Sequence, residues 1–204
     1  AGQGAQKLMP VSIKLISLNI ERSKHLALVL PFLAREQPDV LCVQELMERD
    51  IAAFAKASGA LSHLFAPTCL HPAEIELALE GTALFSRMPF KESSTRYYKG
   101  APEKVGPMRL DASGNPVDPG ADMNCALLLA TVGKEGVMYR IGVTHFTWSP
   151  GGQTTDIQRT DMRALLSLLS QETEFVLCGD FNAPRGGEIF SMLSSAYTDN
   201  IPPQ

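Results

Sequence analysis

Five polar residues in this chain close apolar runs: Asn19 in "KLISLN", Glu45 in "DVLCVQE", His145 in "RIGVTH", and Asp180 and Asn182 in "EFVLCGDFN". The body of a buried strand is clamped in a core while its end opens to solvent. Several such ends can therefore gather a polar site on a rigid scaffold. Side chains at i and i+2 of an extended segment share a face, so Asp180 and Asn182 are expected to enter one site together. Carboxylate and amide oxygens are hard ligands that suit Mg²⁺, with Mn²⁺ as the alternative, rather than zinc. Taken singly, each residue has a blander account. Asn19 reads as a turn residue, His145 as a satisfied structural histidine, Glu45 as the opening of a helix, and Asp180 with Asn182 as an Asx turn. Their shared placement and order favour the functional account.

The elements that must position these residues follow from periodicity. "VSIKLISLN" alternates apolar residues and reads as a strand. Leu26, Val29, Leu30 and Leu33 have helical spacing within 23–36, where Pro31 limits or kinks the helix. "PDVLCVQE" is a second strand, and "LMERDIAAFAKASG" a helix stopping near Gly59. "GTALFSRMPF" reads as a strand cut by Pro89. The stretch 97–124 is dense in Gly and Pro and reads as a long loop, of the kind usually functional or mobile. "CALLLATV" and "VMYRIGVTHF" form a hairpin across "GKEG". Met162, Leu165, Leu166 and Leu169 mark a helix, followed by the strand "EFVLCGD" and a short helix over 188–195. Strand–helix units mixed with hairpins point to an α+β layered sandwich, not a pure parallel alternation.

The 204 residues are 45% hydrophobic and 20% charged, with a formal net charge of -4. That is enough for one domain with a real core, and the mild acidity does not indicate a basic nucleic-acid-binding face. It does not exclude a nuclease, because a bound divalent cation can neutralise phosphate locally. No apolar run reaches the length of a membrane span. Cys42, Cys69, Cys125 and Cys178 lack C-x-x-C spacing, which argues against zinc and fits a reduced, cytoplasmic setting. Residues 1–8 carry no pattern and read as a cloning remnant or a disordered leader, leaving 9–204 as a single domain. "DASGNPVD" lacks the spacing of a calcium loop and reads as an exposed turn.

"SLNI", "PDVLCVQE", "GTALFSRMPF", "VTHF" and "GDFNAP" occur in the order seen in the endonuclease/exonuclease/phosphatase superfamily, which the chain resembles from about Val11 to Ile201. The resemblance implies the deoxyribonuclease-like fold, a four-layer α/β/β/α sandwich, and Mg²⁺-dependent hydrolysis of a phosphodiester or phosphomonoester. It also implies roles. Glu45 resembles the principal metal ligand and Asn19 a second contact to metal or phosphate. Asp180 resembles the residue that orients the attacking water, and Asn182 one that holds a phosphate oxygen. His145 matches a histidine that stabilises the phosphorane or leaving group, and Asp199 in "AYTDNIP" aligns with an Asp near the phosphate.

The family's general base is a histidine in a C-terminal Ser-Asp-His motif, which has no match here. All four histidines, His25, His63, His71 and His145, lie upstream of Asp180. The expectation is therefore a family domain lacking its C-terminal strands, weakly active or inactive alone, and completed by a further segment or a second chain. A noncatalytic member that binds a ligand or partner through the same cleft is the rival expectation. A calcineurin-like dinuclear phosphatase is disfavoured, since no G-N-H-[DE] stretch exists.

Overall fold

The computed structural model describes residues 11–72, 77–115, 117–118 and 122–202. The expectation for residues 1–8 lies outside them. Two four-stranded mixed sheets pack face to face. The first has the order β1 (Leu15–Asn19), β2 (Val40–Met47), β4 (Leu77–Ser86), β3 (Ser62–Pro72). The second has the order β5 (Phe90–Lys99), β6 (Cys125–Lys134), β7 (Val137–His145), β8 (Val176–Asp180). Helices α1 (Leu26–Glu36) and α2 (Ile51–Ser58) cover the first sheet, while α3 (Asp156–Leu169) and α4 (Glu188–Ser194) cover the second. This is the four-layer α/β/β/α sandwich of the deoxyribonuclease-like fold.

The central strands are apolar on both faces because each face meets another layer. On β6, Ala126, Leu128, Ala130 and Val132 face the opposite sheet, while Leu127 and Leu129 face α3. On β2, Val40 and Cys42 enter the space between the sheets, whereas Leu41 and Val43 pack under α1 and α2. Cys42 thus meets Cys178 of β8 across that space, as a buried thiol among apolar neighbours. α3 opens on a capping box, in which Thr155 and Gln158 each bond the other's backbone N–H.

Three boundaries differ from the sequence reading. β2 runs on to Met47, a 3-10 turn takes Glu48–Asp50, and α2 begins only at Ile51. Leu46 and Met47 are fully buried, so tertiary burial overrides their helical preference. β5 extends to Lys99, so the loop starts at Gly100 rather than Tyr97. Pro89 does not cut one strand; it marks the crossing from β4 in one sheet to β5 in the other. The loop itself is docked. Leu70 N–H donates to Gly106 O, Met108 N–H to Leu70 O and Asn124 N–H to Thr68 O, which covers the open edge of β3.

Phe85 is fully buried on β4 and stacks with Phe54 and His63, whereas Leu61 is 74% exposed. Phe85→Ala is expected to cost about 3–5 kcal/mol by urea denaturation, and Leu61→Ala under about 0.5 kcal/mol. Similar losses in the two variants would contradict this placement of the core.

Candidate active site

Glu45 is aimed by a break in its own strand. The β2–β4 register shifts between Val43 and Leu46, so Gln44 and Glu45 together oppose one residue of β4. Such a bulge re-aims a side chain. Glu45 takes a left-handed φ of 56°, which is strained for a residue with a Cβ. Gly81 of β4, the partner of Leu46 just past the bulge, lets β3 approach β4 from its other side. A Cβ there would fall 2.4 Å from the Ala66 carbonyl oxygen and 2.7 Å from the Phe65 ring.

Asn19 ends β1, one strand away. Its side-chain Nδ2 donates to Glu45 Oε1 at 2.9 Å and to Asp180 Oδ2 at 3.0 Å. A single amide therefore ties the first sheet to the second. Its Oδ1 accepts from Glu21 N–H at 3.1 Å, which fixes the amide's orientation.

Asp180 ends β8 beside His145, its register partner on the parallel strand β7. Gly179 before it must be glycine. Its φ is 152°, and a Cβ would meet the Thr144 carbonyl oxygen at 2.1 Å. Asp180 Oδ1 accepts from Asn182 N–H at 2.9 Å, an Asx turn that swings Asn182 to φ 47°. The strand has ended by then. Asn182 thus reaches the site by a turn rather than by strand alternation. The turn that served as the bland account is the device that builds the site.

Asn182 Nδ2 donates to Phe146 O at 2.8 Å and lies 3.2 Å from His145 Nε2. A carbonyl only accepts, so that atom is the amide nitrogen, and His145 Nε2 is an acceptor in this state. Burial holds the His145 pKa below its ordinary value, opposed by the charges of Glu45 and Asp180. The ring is therefore neutral near pH 7, and those two carboxylates favour its taking up a proton. Behind it, Gln158 Nε2 donates to Thr147 O at 2.8 Å and to Asn182 O at 3.4 Å, and Asp161 accepts from Thr147 Oγ1 at 2.5 Å. Helix α3 thereby pins both flanks of the His145–Asn182 pair.

Two residues missed by sequence reasoning complete the centre. Arg22 Nη1 lies 2.9 Å from Glu45 Oε2 and 3.8 Å from Glu80 Oε2. Glu80, on β4, is 1% exposed, and its Oε2 has no hydrogen-bond partner. Burial, then the Glu45 charge, pushes its pKa up from 4.5 to about 7, against the pull of Arg22. One signal was available: a Glu within the apolar "LALEGTALF" is a buried charge in want of a partner. Asp199 is not joined to the other five expected residues. Its bonds among the described residues go to Arg185 and to Ile201 N–H. Arg87 donates to Gln37 O, and Arg109 pairs with Asp118 and Asp122. Asp111 folds "DASGN" into an Asx turn by accepting from Ser113 and Asn115 N–H.

The donor set fits a hard divalent cation. Glu45, Glu80 and Asp180 supply carboxylate oxygens, and Glu80 Oε2 is a buried oxygen without a donor. Among the described residues no group of three or more His, Cys, Asp or Glu side chains is placed to hold a metal ion. A site of one or two carboxylates completed by water and substrate oxygens is the pattern of Mg²⁺.

Glu80 yields a signed prediction for the metal-free protein. Its folded pKa, about 7, lies above the ordinary 4.5. The stability it contributes is full below the lower value and is lost as pH rises through the upper one. Relative to the unsubstituted protein, Glu80→Gln should gain about 3 kcal/mol between roughly pH 4.5 and pH 8 in urea denaturation without divalent cations. A difference that stays flat with pH contradicts the buried, strained carboxylate.

Comparison with known proteins agrees with this architecture. A structure of an endonuclease/exonuclease/phosphatase from Bacteroides vulgatus superposes with a TM-score of 0.62 at 15% identity, over 90% of this chain and 70% of that one. The human Nocturnin catalytic domain with bound sulfate gives 0.56 at 23% identity, over 83% and 60%. D. rerio TDP2 complexed with a single-strand DNA product gives 0.58 at 17%, over 88% and 64%. The chain thus spans 60–70% of the length of these structures. No curated protein sequence matches it. The sequence model of the Endonuclease/Exonuclease/phosphatase family matches residues 16–200, and the chain belongs to that family.

Proposed function

We propose that the protein is a metal-dependent phosphoesterase that hydrolyses a phosphodiester or phosphomonoester with an activated water. One observation carries the reading: the Asn19 amide holds Glu45 and Asp180, from different sheets, as the two sides of one acidic centre, with His145 and Asn182 alongside. Its strand-end setting and family membership support hydrolysis of phosphate esters in general. The ligands of two neighbours, sulfate on Nocturnin and a DNA product on TDP2, fit an anionic phosphate-like group in such a cleft.

Glu45, with Glu80 behind it and Asn19 orienting it, would hold the cation, Mg²⁺ or Mn²⁺. A bound cation supplies neutralisation of the charge that builds on phosphoryl oxygens. Asp180 Oδ2, already placed by Asn19, would orient the attacking water. Asn182 Nδ2–H turns from Phe146 O to a phosphoryl oxygen. His145, once protonated under the influence of Glu45 and Asp180, donates from Nε2 to the phosphorane or the leaving oxygen. Donors so placed stabilise the charge that develops on the phosphoryl oxygens. Asp199, held by Arg185 three residues past Asn182, would act at the periphery of the phosphate. The substrate is a phosphate ester. A net charge of -4 does not point to bulk nucleic-acid binding.

A second reading, a member that binds a ligand without turnover, is favoured by one observation. The Asp180 carboxylate bonds Asn19 and Asn182, and among the described residues no imidazole bonds it. On the enzymatic reading that imidazole comes from chain outside the described residues or from a second chain. β1 and β8, each paired on one side only among the described residues, offer edges where such a segment would dock.

Hydrolysis of bis(p-nitrophenyl) phosphate by the natural chain, with and without Mg²⁺, separates the readings. Glu45→Ala and Asp180→Asn are each expected to lower Mg²⁺-dependent turnover by about 10²–10⁴-fold. Turnover that persists in both variants refutes these roles. Absence of turnover in the unsubstituted natural chain, with retained phosphate-ester binding, supports the second reading.

A further inference from the structure

Arg22 sits where a cation would be expected, and its surroundings show why. Glu45 Oε1 is taken by the Asn19 amide, which also spans to Asp180. The oxygens left to receive a cation are Glu45 Oε2 and Glu80 Oε2, and both face one atom, Arg22 Nη1, at 2.9 and 3.8 Å. The guanidinium neutralises a centre that would otherwise crowd carboxylates in a low-dielectric wall. We propose that Arg22 is the resident counter-cation of this centre, and that a divalent cation binds by displacing its guanidinium from Glu45 and Glu80. This rests on the reading of Glu45 as a metal ligand.

The backbone supplies an independent indication. Glu21 and Arg22 are consecutive non-glycine residues in the left-handed region, at φ 46° and 65°. Strain of this kind persists only where the surroundings over-determine it. Here Arg22 N–H donates to Glu45 O at 3.1 Å, and Asn19 Oδ1 accepts from Glu21 N–H. The main chain of Arg22 is thus moored to the same residue that its side chain neutralises. A displaced guanidinium would remain tethered at the rim, since its side chain is already 27% exposed. Two cations cannot share the two oxygens, because their repulsion at this separation opposes the second.

The test is a titration of Mn²⁺, followed by the loss of its free-ion electron paramagnetic resonance signal, in the unsubstituted protein, Arg22→Gln and Glu45→Gln. Arg22→Gln is expected to bind Mn²⁺ roughly tenfold more tightly, as removal of a competing charge predicts. Glu45→Gln is expected to lose that binding. Unchanged or weaker binding in Arg22→Gln, with loss in Glu45→Gln, overturns the exchange and leaves the metal-ligand reading standing. Binding that survives in Glu45→Gln overturns the metal-ligand reading itself, and the exchange with it. Should Arg22→Gln fail to fold, the unsubstituted protein gives the answer through the nuclear magnetic resonance signal of the Arg22 Nε–H. Saturating Mg²⁺ should shift that signal and speed its exchange with solvent. A signal unmoved by Mg²⁺ overturns the proposal.

Discussion

The centre depends on one amide. Asn19 Nδ2 bonds Glu45 from its own sheet and Asp180 from the other, at 2.9 and 3.0 Å. The two sheets touch mostly through apolar side chains such as Val40, Leu84, Leu128 and Val143, whose packing is strong but not directional. A hydrogen bond to an ionised group is directional. Burial thus holds the sandwich together, while this amide sets how the rims of the sheets meet. The carboxylates on either side would repel without it.

The rest of the site spends conformational strain to the same end. Glu45 at φ 56° sits in a bulge, Asn182 at φ 47° follows an Asx turn, and Glu21 and Arg22 turn left-handed after β1. None of these residues is glycine, so the surrounding contacts hold them there. Glycine appears instead where space is short: Gly179 against Thr144 and Gly81 against Ala66. The charge arrangement follows a similar logic. Glu80 is buried deeply enough that its pKa rises to about 7, and Arg22 stands between it and Glu45. A buried carboxylate of this kind is costly to stability and useful only to a site that holds positive charge.

Much of this was legible in the sequence, for identifiable reasons. The apolar runs ending in Asn19, His145 and Asp180 showed strand ends because double-sided burial leaves hydrophobic stretches with abrupt polar stops, whereas Glu45 sits in a bulge two residues before the end of its strand. The helix over Asp156–Leu169 showed its stripe of Met162, Leu165, Leu166 and Leu169. What escaped notice was nonlocal. β3 carries Pro67 and Pro72, which suit an edge strand but obscure it, and β5 reads "FKESSTRYYK", a polar strand with one covered face. Leu46 and Met47 looked helical until burial decided otherwise. Arg22 and Glu80 are 58 positions apart in the numbering and meet only in the folded sheet, beside the bulge at Glu45. Asp199 stood out by motif, yet its ion pair with Arg185 depends on a turn after Asn182 that no periodicity announces.

The most direct test of a two-sheet, cation-dependent centre is a crystal structure of the protein soaked in Mn²⁺, with the ion located by its anomalous scattering. The account predicts a peak within about 2.0–2.4 Å of a Glu45 carboxylate oxygen, at the rim where β2 and β8 meet. A fully occupied Mn²⁺ bound elsewhere, with Glu45 still bonded to Arg22, would contradict it.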